Sequence, residues 1–135
     1  MPHMKVYLAI KYHQDNSNRE LIMQVLHELE SVGIETISIM RDFEQWGKVQ
    51  YTPQELMKLC FDKIDHCDAI IIEFSEKGVG LGIEAGYSFA KGIPIYAIAK
   101  IGADISTTLQ GLTKNIYFYE KMAELKEIFD KMKGI

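Results

Sequence analysis

A chain of 135 residues, 47% hydrophobic and 25% charged, suits one domain spanning residues 1–135 and leaves no room for a second full-sized core. Its net charge of −4, from 15 basic and 19 acidic residues, argues against a nucleic-acid polymer as partner, since a phosphate track favours a basic face. No signal sequence is read and no apolar run approaches the ~20 residues of a membrane span, so the expected compartment is the cytoplasm, with no membrane partner.

Residues 5–10 read as a short buried strand. Asn16 or Ser17 is placed to cap the helix that follows, because a short side-chain oxygen accepts its orphan amide protons. Leu21, Ile22, Val25, Leu26 and Leu29 recur at helical spacing, and Gly33 is positioned to end the helix in a left-handed turn. Residues 34–40 alternate as a second strand; residues 42–51 are polar and irregular and hold the single tryptophan, Trp46. Thr52-Pro53 with Glu55 predicts a capped helix whose apolar face is Leu56, Leu59, Cys60 and Ile64. Cys60 and Cys67 are too few for a disulfide framework, and with His66 they lack the paired spacing of a zinc site, so no metal is expected. Residues 68–74 form a continuous β-branched run typical of a strand buried on both sides. Residues 78–82 read as a glycine-rich loop, 83–91 as a helix ended by Gly92, 94–99 and 116–119 as strands, and 122–132 as a last amphipathic helix.

Strands alternating with helices predict right-handed βαβ units: a doubly wound, five-stranded parallel sheet in the flavodoxin-like order 2-1-3-4-5. Ligands of such sheets sit outside the carboxyl ends of the strands where the order reverses, here between the loops at 11–18 and 75–82. In the second loop, Gly78, Gly80 and Gly82 let the backbone approach a ligand and permit positive φ, and their amides suit an anionic or electron-rich group. Glu84 would then lie in the first turn of the next helix, where its carboxylate also complements the helix dipole, worth ~0.5 kcal/mol. The stretch Gly80 to Ala85 fits a dinucleotide fingerprint as well, but it follows the third strand instead of the first, and Glu84 would repel a pyrophosphate.

The run Val79-Gly-Leu-Gly-Ile-Glu84-Ala-Gly-Tyr-Ser-Phe-Ala90, followed by Gly92-Ile-Pro94, closely resembles the glycine-rich motif of the nucleoside 2-deoxyribosyltransferase family, which includes the 2'-deoxynucleoside 5'-phosphate N-hydrolases. Asp68 at the start of the buried strand and Val6-Tyr7 in the first strand fit the same pattern. The resemblance implies that Glu84 is a nucleophile at the anomeric carbon, that Tyr7 orients it by a hydrogen bond, that neither metal nor organic cofactor is needed, and that the chain forms a homodimer or larger homo-oligomer. An oxocarbenium-like centre calls for a carboxylate on one face; water then gives hydrolysis and a second base gives transfer. Three positions depart from the family. Cys60 and Gly78 stand where it carries polar residues, an aspartate at the first and aspartate or serine at the second, and the loop after strand one is Lys11-Tyr-His13-Gln-Asp15 instead of glycine-rich. Asp62 is near Cys60 but points elsewhere on the helix; with Ser75, Lys77, Lys11 and His13 it is a candidate substitute for contacting base or phosphate, and Asp42 and Trp46 are candidates to close over a ligand. The missing polar residues also leave open a non-catalytic nucleotide-binding module of the same fold. Small residues at Gly86, Ser88 and Ala90 beside Tyr87 and Phe89 support an interface on the helix after the motif, unless both aromatics pack on their own sheet.

Overall fold

The computed structural model describes residues 3–134. Five parallel strands form one sheet in the order β2-β1-β3-β4-β5: β1 Lys5–Ile10, β2 Glu35–Ile37, β3 Ala69–Glu73, β4 Ile95–Lys100 and β5 Ile116–Tyr119. The helices are α1 Arg19–Ser31, α2 Pro53–Asp65, α3 Val79–Ala90, the short α4 Thr107–Gln110 and α5 Met122–Lys133. Because side chains alternate along a strand, each strand feeds two separate cores. Val6 and Leu8 of β1 pack with α1 and α5, while Tyr7 and Ala9 pack with α2, α3 and α4. The isoleucines at 70, 71 and 72 are fully buried, as a run covered on both faces requires.

Several local signals act as their chemistry dictates. The Thr52 hydroxyl accepts from the Glu55 amide and the Glu55 carboxylate accepts from the Thr52 amide, closing the capping box. Gly33 (φ 84°) and Gly92 (φ 73°) turn left-handed after α1 and α3. Asp68 accepts from the Lys5 amide at 2.8 Å, which ties the start of β3 to β1 and helps set their register.

Three expectations are corrected. The N-cap of α1 is Asn18, not Asn16 or Ser17, and its side chain is drawn away from the helix: it donates to the Lys11 carbonyl at 2.6 Å and accepts from the His13 amide at 2.9 Å. The second strand stops at Ile37. Asp42 accepts from the Ser38 amide and the Ser38 carbonyl accepts from the Asp42 amide, so the chain curls into a π-helical turn, Met40–Glu44, in place of continuing extended. Finally, α3 begins at Val79. Gly80 and Gly82 are helical and none of Gly78, Gly80 and Gly82 has positive φ; the Gly82 amide donates to the Gly78 carbonyl and is not free for a ligand.

Candidate active site

The early start of α3 moves Glu84 into the second helical turn, beyond reach of the dipole effect that a first-turn position would give. From there its carboxylate reaches Tyr7 of β1. Tyr7, inward on that strand, donates its hydroxyl to the Glu84 carboxylate. Ser88, one turn further along α3 and fully buried, donates within the helix to the Glu84 carbonyl at 2.8 Å, which satisfies its buried hydroxyl.

The pair opens on a cavity of about 190 Å³. Its walls are Tyr7 and Ala9 of β1, Tyr12 beyond it, Ser38 to Met40 and Glu44 of the π-helical turn, Leu56, Met57 and Cys60 of α2, and Gly80 and Glu84 of α3. A Cβ at Gly80 would meet nothing within 4 Å, so no packing contact demands glycine there; its small size keeps that wall low.

The electrostatics follow from burial. Loss of water raises the Glu84 carboxyl to about 7, and the Tyr7 hydrogen bond works in the opposite direction by favouring the carboxylate. Tyr7 is pushed far above the ordinary tyrosine value, by burial first and then by the Glu84 charge, so its hydroxyl stays a donor at any working pH. The Cys60 thiol is raised to about 11, mainly by burial, with the Glu84 and Glu44 charges adding to it. Glu44 is raised above the usual carboxylate range by burial alone. A carboxylate beside an apolar-walled void, oriented by a tyrosine that cannot ionise, is suited to meet a developing positive charge or to attack an electrophilic carbon.

The other predicted residues are distributed elsewhere. Lys11, His13 and Ser75 line a second cavity of about 250 Å³ on the opposite face of the sheet edge, together with Glu73 and Lys100. There Ser75 is committed to Glu73 through both its amide (2.8 Å) and its hydroxyl (2.6 Å), and His13 to Ser17 and Glu76. Lys77, Gly78 and Gly82 border a third hollow, against α4. Lys77 pairs there with Asp104 at 2.8 Å. Asp62 is exposed near Lys63 and His66, because two residues beyond Cys60 is more than half a turn around α2. Asp42 is bound to Arg41 and Ser38, and Trp46 packs against Tyr12 beneath Arg19, so both brace the turn and neither lines the Glu84 cavity. Among the described residues no group of three or more His, Cys, Asp or Glu is placed to hold a metal ion, and no helix is long and apolar enough to cross a membrane.

No family model matches the chain. A protein of Thermofilum pendens named "Putative 2'-deoxynucleoside 5'-phosphate N-hydrolase 1" is 26% identical over 133 residues, covering 96% of this chain and 92% of that protein. The chain is therefore similar, over nearly its whole length, to a protein that bears the name of a deoxynucleotide N-hydrolase. Two solved structures share the fold. A CMP N-glycosidase of Clostridium botulinum superposes with a TM-score of 0.65 at 24% identity, over 93% of this chain and 98% of that one. A 2-deoxyribosyltransferase of Bacillus psychrosaccharolyticus does so with 0.67 at 17% identity, over 90% of each.

Of the residues the motif singles out, Glu84 and Tyr7 are hydrogen-bonded, and Cys60 reaches the same cavity while Gly78 does not. Glu44, Tyr12, Ser38 and Met57 are wall residues that the sequence did not single out. The only hint was that Glu44 lies between Asp42 and Trp46, in a polar stretch with no periodicity to say which way it faces.

Proposed function

We propose that this protein cleaves or transfers at the N-glycosidic bond of a deoxynucleoside or nucleoside 5'-monophosphate, with Glu84 forming a covalent glycosyl ester. The observation that carries this reading is the Tyr7–Glu84 hydrogen bond at the mouth of a cavity. The Thermofilum pendens relative, named for N-hydrolysis of 2'-deoxynucleoside 5'-phosphates, supports the substrate class. In the first step a Glu84 oxygen bonds to C1' of the sugar, and the C1'–N bond breaks with its electron pair leaving on the base. In the second, water or another base bonds to C1' and Glu84 departs as carboxylate. Tyr7 fixes which carboxylate oxygen is free to attack. We also propose that the unit at work is a homodimer or larger, formed through the outer face of α3.

A second reading is favoured by one observation: Cys60 and Gly78 bring no carboxylate to the positions where the family has polar residues. On that reading the chain binds a nucleotide without breaking it. Incubation with a panel of nucleosides and their 5'-monophosphates, with free base followed by chromatography, separates the two. Base released by the wild type and not by Glu84→Gln supports catalysis at Glu84. Release from neither, with a nucleotide still shifting the melting temperature, supports the binding module.

A further inference from the structure

Breaking an N-glycosidic bond takes two opposed groups: a nucleophile at the anomeric carbon, and an acid that gives the departing base its proton. The position from which the resemblance would bring that acid holds Gly78, and the other position where it would bring a carboxyl holds Cys60. Gly78 has no side chain and lies outside the cavity. Cys60 lines it, but a thiol raised to about 11 is a reluctant donor. Tyr7 is committed to Glu84, and the Tyr12 hydroxyl donates to Asn16. One other carboxyl lines the cavity, that of Glu44.

Glu44 is held firmly and left unpaired. It ends the π-helical turn, and the two residues after it, Gln45 (φ 48°) and Trp46 (φ 60°), are both left-handed, a conformation that costs non-glycine residues of order 1–2 kcal/mol each. The Trp46 ring anchors this bend under Arg19 and against Tyr12. Yet among the described residues the Glu44 carboxyl has no hydrogen-bond or ion-pair partner. The backbone strain therefore holds at the cavity wall an acid that water reaches and no protein group occupies.

We infer, resting on the reading of Glu84 as nucleophile, that Glu44 is the general acid and base of the cavity. As the C1'–N bond breaks, the Glu44 proton passes to the base nitrogen that receives the electron pair, leaving Glu44 a carboxylate. When water then attacks C1', Glu44 takes the proton of that water as Glu84 leaves, and both carboxyls return to their starting states. The titratable groups sharing the cavity are Glu84 of α3, Tyr7 of β1, Tyr12 and Cys60 of α2; burial alone holds Glu44 above the usual carboxylate range, on the side a proton donor needs.

The test compares wild type and Glu44→Gln on the neutral substrate the wild type cleaves fastest and on 7-methyl-2'-deoxyguanosine, whose base already carries a positive charge and leaves without a proton. Expected for the variant is a loss of ~10² or more in kcat on the neutral substrate, a change under about threefold on the methylated one, and disappearance of the alkaline limb of kcat/KM. Should the wild type refuse the methylated nucleoside, the alkaline limb decides alone. Unchanged turnover of the neutral substrate, an equal loss on both, or an intact alkaline limb overturns the assignment. Base release that needs Glu84 but not Glu44 removes this proposal and leaves the proposed function standing; a wild type that releases no base removes both.

Discussion

Burial holds the Glu84 carboxyl near 7 against an ordinary 4.5. Between those values the folded protein keeps a proton that the unfolded chain has lost, so stability falls as pH rises through that window and the loss is complete above about 7. Glu84→Gln never ionises and escapes the loss. Discounting for the partial exposure of the side chain, the variant should be about as stable as wild type at pH 4 and roughly 2 kcal/mol more stable at pH 8 by urea denaturation. The same variant should lose glycosidic cleavage by ~10² or more. A variant less stable than wild type at pH 8 would show that the carboxylate is needed for the fold. Tyr7→Phe removes the one contact that pulls the Glu84 carboxyl down. Its acid limb of kcat/KM should therefore move to higher pH, and an unmoved limb would reduce Tyr7 to a core aromatic. Both residues were legible in the sequence because a specific motif and a strand position single them out. Glu44 was not, since no periodicity orients a side chain in an irregular segment.

Among the elements, α2 and β3 follow directly from local chemistry: a Thr-Pro-x-Glu start and an unbroken β-branched run leave little choice. The start of α3 differs from the sequence expectation because three glycines read as a loop. Glycine costs a helix about 1 kcal/mol, and the tertiary packing of Leu81, Ala85 and Ser88 outweighs that. The second strand is shorter than its sequence pattern for another reason. The Ser38–Asp42 bonds that end it are four residues apart, and a simple alternation of apolar residues does not report them. The left-handed pair after Glu44 gives a direct check at this scale. Gln45→Gly relieves a penalty of roughly 1–2 kcal/mol while giving back about 0.5–1 in chain entropy, so a net gain of about 0.5–1 kcal/mol in unfolding free energy is expected. Destabilisation instead would mean that Gln45 makes its bend for a contact of its own.

For the molecule as a whole, strand order was the most legible property, since alternating elements and right-handed crossovers leave few sheets to choose from. Which aromatic of α3 turns outward was not, and the two expectations for it divide. Tyr87 stacks on Phe61 of its own chain at 4.1 Å, whereas Phe89 is 56% exposed on a helix that also shows Val79 (83%) and Ile83 (47%) to solvent. That face is the proposed contact between copies. Light scattering at micromolar concentration should give at least twice the 15.5 kDa of one chain, and Phe89→Glu should return it to one; a wild type of monomer mass would end the idea. The order of the sheet has one more consequence, in time instead of space. A ribosome releases β1 first, but one of its two neighbours is β3, whose residues emerge long after α1, β2 and α2. Tyr7 and Glu84 are 77 positions apart, and the Tyr119 hydroxyl that closes on Glu73 at 2.5 Å comes 46 positions after its partner. A nascent chain therefore carries an open, apolar edge on β1 until β3 has been made, and the tyrosine that would act at the site waits there for a carboxylate made later still.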